Sequence, residues 1–458
     1  MEVKGKRISV IGLGVSGKAA SMLLKQMGAC VFAMDSNDSA QLRETAAGLI
    51  AAGIDTRLGL DGTDLIEGSD IIVVSPGVPD TAPALVNAGR RSIPVVSEIE
   101  AASWFLPNDI IAVTGTNGKS TIASLIDMML KESGRQSILC GNIGKAFSSV
   151  VLSSNPGQNI VLEVSSFQLK HVDSFRPKIA LISNVTQNHL DVHPDFNDYF
   201  CSKKNIYKNQ TQSDFFVLNS DDDRLARLRP APGSKIYCFS VKKEVRGFYL
   251  KDNNFIINMS GENRILCSSD NVLLSGAHNY YNILASCCCA YLAGATPDGM
   301  LKALMNFKGL AHRCEQVAVL GGVRYIDDSK STSVDSCAAA LKAFRGKVVL
   351  IAGGRDKGSD FTVIGSLVRD RARVVIVIGE AGGKIKHDLS ALVPVRQASG
   401  MEEAVKIARE EAVPGDFVLL SPMCASFDMY KSYAARGEDF KNHVLNIRKG
   451  GGKGETLS

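Results

Sequence analysis

The stretch DIIAVTGTNGKSTIASLIDMML, residues 109–130, decides how the chain is read. DIIAVTG is a short apolar run of strand length, and STIASLIDMML carries apolar residues at helical spacing. TNGK lies between them as a glycine turn. A buried strand that enters a helix through such a turn belongs to a parallel α/β sheet. The turn also suits a phosphate: Gly115 and Gly118 let the backbone come close, Thr116, Asn117 and Thr121 complete the loop, and the free amides of the helix N-terminus point outward. Lys119 adds a point charge for β- and γ-phosphates, and Ser120 a hydroxyl for Mg²⁺. The standard phosphate loop would have glycine at position 113, which is valine here, so this loop is two residues short. The other reading, an ordinary helix start with a solvent-facing lysine, does not account for the whole of GTNGKST after a strand.

Working outward, the same alternation occurs on both sides. Upstream, RISVIGLGVSGKAASMLLKQMG reads as strand, turn and helix, followed by the strands CVFAMD and DIIVVSPGVP. Downstream come NIVLEVSSFQL, KIALISNVTQNHLD and DFFVLNSDDD, strands that end in polar residues, and GFYLKDNNFIINMSGENRILC, expected as a flanking hairpin. From about residue 309, KVVLIAGGRDKG, RVVIVIG and DFVLLSPMCASFD predict another doubly wound sheet. The expected fold is α/β with three domains: Rossmann-like at 1–99, a P-loop ATPase-like parallel sheet at 100–308, and Rossmann-like again at 309–458. GLGVSG at 12–17, after a strand and with Asp35 ending the next, is a diphosphate fingerprint; a bare tight turn is the competing reading. Two phosphate sites, one for ATP, imply that the other holds a nucleotide-linked substrate.

Composition narrows the class. The 458 residues are 45% apolar and 22% charged, which is globular and long enough for several cores. A formal charge of +5, with no basic run interleaved with aromatics, argues against nucleic acid. The 11 cysteines form no CxxC pair, and Cys287, Cys288 and Cys289 stand in a row within an apolar segment, so reduced thiols and a cytoplasmic setting are expected. The basic-then-apolar N-terminus imitates a signal peptide, but glycines interrupt it and no cleavage site follows. No apolar run approaches the length needed to span a membrane. RKGGGKGETLS reads as a polar tail.

Nine motifs in order, GLGVSG, SPGVP, GNIG, EVSSFQL, NVTQNHLD, GAHNYYN, GLAHRCE, DDSKST and LSPMCASFD, resemble the ATP-dependent Mur ligases of peptidoglycan synthesis, which are related to folylpolyglutamate synthetase. The resemblance runs from about residue 5 to 445 and is strongest for the branch that adds D-glutamate to UDP-N-acetylmuramoyl-L-alanine. It implies an acid–amino-acid ligase that makes an acyl phosphate with ATP and two Mg²⁺ ions, acting as a cytoplasmic monomer on small molecules without nucleic acid or membrane. A sister ligase with another amino acid is the nearest rival. A folylpolyglutamate synthetase would begin with the ATPase domain, whereas about 105 residues precede it here. A nucleotide-sensing module would not need Glu163, His189 and Lys203.

The resemblance also implies roles. Gly14, Val15, Ser16, Asp35, Ser36, Ser75 and Gly77 fall where the family holds UDP, although Ser36 and Asn37 replace its usual Thr-Arg pair. Asn142, Ser165 and His189 lie along the path of the muramoyl-alanine carboxylate. Ser120, Glu163, His189 and Lys203 hold the metals, Lys203 as a carbamate formed from CO₂; Lys204 beside it leaves the register open, and the spacing from Tyr199 favours Lys203. Asn279 and Asn282 approach adenine unless they only cap a helix. Arg313, Asp328 and Lys330 reach the nucleotide when the domains close, with a capped helix start as the alternative for DSKST. Thr332, Lys357, Ser426, Phe427 and Tyr433 match the D-glutamate contacts, Tyr433 in place of a phenylalanine.

Overall fold

A computed structural model describes residues 1–63, 66–186, 193–229, 233–274, 276–344, 346–356 and 358–450. By its internal contacts the chain divides into two compact units, Met1–Phe307 and Lys308–Ser458.

The first unit holds two sheets. Five parallel strands run in the order Asp55–Leu58, Cys30–Asp35, Arg7–Ile11, Ile71–Val74, Val95–Ser97. The order reverses between Arg7–Ile11 and Ile71–Val74, and at such a switch point the strand ends leave a crevice for a ligand. Gly12 makes the close approach there possible, because a side chain on it would strike Val78 and Ser75.

The second sheet has nine strands. Ile110–Thr114 lies between Asn159–Glu163 and Ile179–Ile182, all parallel, and its five residues are buried, as a strand covered on both faces requires. The expected antiparallel hairpin forms the edge of this sheet, with Gly247–Lys251 and Asn254–Asn258 paired antiparallel. Gly247–Lys251 pairs parallel to Lys235–Ser240, and Asn254–Asn258 and Arg264–Ser268 extend the same sheet antiparallel.

These two sheets share a core. Leu23, Ile99 and Ala102 cluster with Ile110, Phe147 and Leu162 of the nine-stranded part. Glu100 reinforces the junction: its carboxylate accepts from Trp104 Nε1 at 2.8 Å and from the backbone amides of Asp173, Ser174 and Phe175 at 2.8–3.1 Å. That common burial makes Met1–Phe307 one compact unit by its contacts.

The second unit is a six-stranded sheet in the order Glu315–Leu320, Val323–Asp327, Phe417–Met423, Val348–Gly353, Ala372–Ile378, Val395–Gln397, parallel except for the first pair. Among the described residues no helix is long and apolar enough to cross a membrane. Cys287, Cys288 and Cys289 are fully buried in the helix Ala277–Leu292, and burial raises their thiol pKa values.

Candidate active site

The turn after Ile110–Thr114 leads into the helix Lys119–Glu132, whose N-cap is Gly118 at φ 82°, a left-handed conformation that glycine adopts without strain. Gly118 brings no capping side chain, so an anion can meet the first-turn amides. The turn is braced from the next strand. Asn184 accepts from the Asn117 amide at 2.9 Å and donates to the Asn117 carbonyl at 3.0 Å, while the Thr116 amide donates to the Asn184 carbonyl at 3.0 Å. The Thr116 hydroxyl lies 3.0 Å from Tyr199 Oη. Lys119 Nζ folds over the turn and donates to the carbonyls of Thr116 at 2.9 Å and Gly115 at 3.1 Å.

Three groups implied by the family resemblance converge here. Val113 is the register partner of Glu163 in the neighbouring strand, so this acid ends beside the turn. Glu163 is 1% exposed; Oε1 accepts from Asn142 Nδ2 at 2.9 Å, and Oε2 is buried without a hydrogen bond. An orphaned carboxylate oxygen beside a phosphate loop fits a hard divalent cation. Lys203, also 1% exposed, donates to the Gly115 carbonyl at 2.9 Å and lies 4.5 Å from the Tyr199 ring centre. Burial, and next the charge of Lys119, hold its amine well below the ordinary lysine range, against the pull of Glu163. Lys204 is less buried and lies over Phe200, so Lys203 is the lysine turned to the loop.

The asparagines are not caps. Gly276 is the N-cap of Ala277–Leu292, and Asn282 lies so close to Gly118 that a Cβ there would strike its carboxamide. Asn282 Nδ2 donates to Asn279 Oδ1 at 3.2 Å. Ser165 does cap the helix Ser166–Lys170, in a capping box with Gln168. His189 lies outside the described residues.

At the switch point of the first sheet a cavity of about 650 Å³ is lined by Gly14, Val15, Ser16, Asp35, Ser36, Asn37, Ser75 and Gly77. This unites the predicted UDP residues. Asp35 does not present a free carboxylate, since its oxygens accept from the amides of Leu13 at 2.8 Å and Asn37 at 2.9 Å.

In the second unit Lys330 Nζ lies 3.4 Å from Tyr433 Oη and 4.9 Å from its ring centre. Asp328 faces inward: its carboxylate accepts from the Cys314 amide at 3.1 Å and Ser421 Oγ at 2.9 Å, and burial pushes it up to about 6. Ser333, after DSKST, is the helix cap that this motif was weighed against. Arg313 and Thr332 are half-buried, Ser426 is buried, Phe427 is exposed, and Lys357 lies outside the described residues. Sequence reasoning missed Arg436, a buried guanidinium that donates to the carbonyls of Ser329, Cys424 and Ala425 at 2.8–3.3 Å and so ties two strand ends together. It also missed Asn184 and Tyr199 as braces of the loop. Their partners are 67 and 83 residues away, and no local pattern announces them.

Comparison with known proteins places the chain in a family. Residues 6–97 match the Mur ligase MurD-like N-terminal domain, residues 113–290 the Mur ligase middle domain, and residues 312–424 the Mur ligase glutamate ligase domain. UDP-N-acetylmuramoylalanine–D-glutamate ligases of Koribacter versatilis and Pelotomaculum thermopropionicum are 42% and 41% identical, covering 98% and 97% of this chain and 99% and 98% of their own. The MurF ligase of Thermotoga maritima, solved in complex with ADP, has the same fold at TM-score 0.58 and 17% identity, over 98% of this chain and 100% of that one. With three domain models in order on one chain, and relatives at this identity along nearly all of it, the protein belongs to the Mur ligase family.

Proposed function

We propose that the protein joins D-glutamate to UDP-N-acetylmuramoyl-L-alanine at the expense of ATP, a cytoplasmic step of peptidoglycan precursor synthesis, and does so as a monomer divided at 1–99, 100–308 and 309–458. The observation that carries it is the meeting of Lys119, Lys203 and Glu163 at one phosphate turn. The relatives that cover nearly the whole chain and bear that enzyme's name support the choice of substrates.

A carboxylate in water is a poor acceptor of amines because oxide is a poor leaving group. Its oxygen attacks the γ-phosphorus, the bond to the bridging oxygen breaks, and ADP leaves. The amine of D-glutamate then adds to the acyl phosphate, loses a proton, and expels inorganic phosphate. Lys119 and the helix amides hold the phosphates and offset their charge. Asn282 and Asn279 border the turn where the nucleotide enters. Asn142 fixes one Glu163 oxygen and leaves the other for a metal. Ser120, Glu163, His189 and Lys203 are the residues that would hold two Mg²⁺ ions, which when bound screen the two anions as they meet. The neutral amine is the form that takes up CO₂, burial shifts Lys203 towards it, and we assign Lys203 as the carbamylated residue. Gly14, Val15, Ser16, Asp35, Ser36, Ser75 and Gly77 hold UDP; Ser165 and His189 flank the substrate carboxylate. Arg313, Asp328 and Lys330 are assigned to the nucleotide, Asp328 through the Cys314 and Ser421 segments that it fixes. Thr332, Lys357, Ser426, Phe427 and Tyr433 receive D-glutamate.

Phosphate release measured with UDP-N-acetylmuramoyl-L-alanine, ATP and Mg²⁺ tests this across a panel of D-glutamate, L-glutamate, L-alanine and diamino acids. Stimulation by D-glutamate alone is expected. Stimulation by another member of the panel instead would reassign the substrate.

A further inference from the structure

A chain of charged side chains runs from the first sheet to the helix that carries Lys203. Lys170 Nζ, at the end of the helix Ser166–Lys170, lies 2.6 Å from Asp80 Oδ2 and 3.2 Å from Asp198 Oδ2. His171 Nε2 lies 2.9 Å from the other Asp80 oxygen. Asp80 ends the turn that follows Ile71–Val74, and Asp198 is in the first turn of Phe196–Lys204. Beyond Asp198 the chain continues inward: His193 is 1% exposed, its Nδ1 2.6 Å from Asp198 Oδ2 and its Nε2 3.0 Å from Ser166 Oγ. With Nδ1 as the donor to the carboxylate, Nε2 accepts from the Ser166 hydroxyl, so both ring nitrogens are engaged.

The setting gives this chain a task. The turn at 75–79 lines the 650 Å³ cavity and also forms one wall of a second cavity of about 350 Å³. Phe167, Gln168, Lys170, His171 and His193 stand on the wall of that second cavity. Lys170 is 24% exposed, and an isolated pair at such a site contributes little. It is not isolated, because one ammonium separates two carboxylates and one of these orients a buried histidine. Without Lys170, Asp80 and Asp198 would lose the ammonium that lies between them and keep only their histidine neighbours, and repulsion would move the turn.

We propose that Lys170 is a positioning residue for the UDP-linked substrate: its bridge between Asp80 and Asp198 holds the 75–80 turn in register with the helix bearing Lys203, and so aligns a substrate that passes from the larger cavity into the smaller. This rests on the functional reading above, with UDP in the larger cavity. None of Asp80, Lys170 and Asp198 lines the larger cavity, so the bridge acts on the part of the substrate beyond the nucleotide.

The test is steady-state kinetics and calorimetry on full-length Lys170→Met, Lys170→Arg, Asp80→Asn and the Asp80→Asn/Lys170→Met double variant. For Lys170→Met, kcat/KM for UDP-N-acetylmuramoyl-L-alanine should fall about fivefold to tenfold, the size of one partly exposed charge network. KM for ATP and D-glutamate, and the dissociation constant of UDP alone, should stay within about twofold on the same reasoning. Lys170→Arg should recover most of the loss, and the double variant should lose no more than Lys170→Met. A purely structural role would lower melting temperature and weaken all ligands together. Equal weakening of UDP and the full substrate, or unchanged kcat/KM for the full substrate, overturns the bridge. Should Lys170→Met not fold, Asp80→Asn on the exposed turn carries the same two outcomes. A wild-type chain without D-glutamate-dependent turnover overturns both this inference and the functional reading; an active wild type matched by Lys170→Met overturns the bridge alone.

Discussion

Lys119 and Lys203 donate to the same acceptor, the carbonyl oxygen of Gly115, at 3.1 and 2.9 Å. Two ammonium groups cannot share one neutral oxygen cheaply, and Lys203 is the more deeply buried of the two. Burial first, and then the charge of Lys119, therefore disfavour the proton on Lys203, against the pull of Glu163.

A lowered lysine pKa has a defined sign in stability. The unfolded chain binds a proton that the native chain resists, so this group costs stability below its native pKa and the cost shrinks as pH rises towards the unfolded value of about 10.4. Lys203→Met should remove that slope: its melting temperature at pH 7 should exceed the wild type's by a few degrees, and the gap should close by about pH 10. Turnover should be lost, and added short carboxylic acids should restore part of it in Lys203→Ala. A Lys203→Ala variant with full activity would remove the residue from the site.

Glu163→Gln keeps the shape of the side chain and can still accept from Asn142, but it loses the charge. Its rate should fall about 100-fold or more, the scale of a lost electrostatic contact in a closed site. Titrating Mg²⁺ checks the assignment, since half-saturation should shift to higher concentration. An unchanged Mg²⁺ dependence would show that Glu163 holds no metal.

Gly118→Ala tests the turn itself. A non-glycine residue at φ 82° costs about 1–3 kcal/mol, and here the new methyl also meets Asn282. Thermal melting should fall and ATP affinity should drop more than 10-fold by calorimetry, about 1.4 kcal/mol. Adding Asn282→Ala should relieve the collision but not the backbone strain, so the melting temperature should recover only in part.

Asp328 moves in the opposite direction to Lys203. Its native pKa of about 6 lies above the unfolded value, so its contribution is complete below about pH 4 and is lost as pH rises through 6. Asp328→Asn should flatten the fall in stability between about pH 4 and pH 7, an effect on the order of 1–3 kcal/mol, measured by denaturant titration at each pH. Parallel pH profiles for wild type and variant would contradict the burial argument.

Much of the site was legible because its signals are local. Strand, glycine turn and helix in 109–130 announce themselves through apolar runs and turn chemistry, and the loop formed as read, two residues short of the standard form. The GLGVSG segment likewise lines a cavity at a strand-order reversal. Less legible was which polar atoms the fold would consume internally. Asp35 spends its oxygens on the amides of Leu13 and Asn37, and Asp328 its own on Cys314 and Ser421. Sequence spacing cannot distinguish a carboxylate that holds a loop from one that meets a ligand.

By itself the sequence determined the parallel α/β sheets, the glycine turn with Lys119 at its helix mouth, and the acid that ends a neighbouring strand. These follow from hydrophobic periodicity and glycine placement over a few residues. Only the tertiary structure decided that Lys203 rather than Lys204 faces Gly115, that Asn184 braces Asn117, and that Leu23 and Ile99 join the central core. Burial and charge proximity are properties of the assembled chain: the pKa of a lysine falls only once distant segments have closed over it.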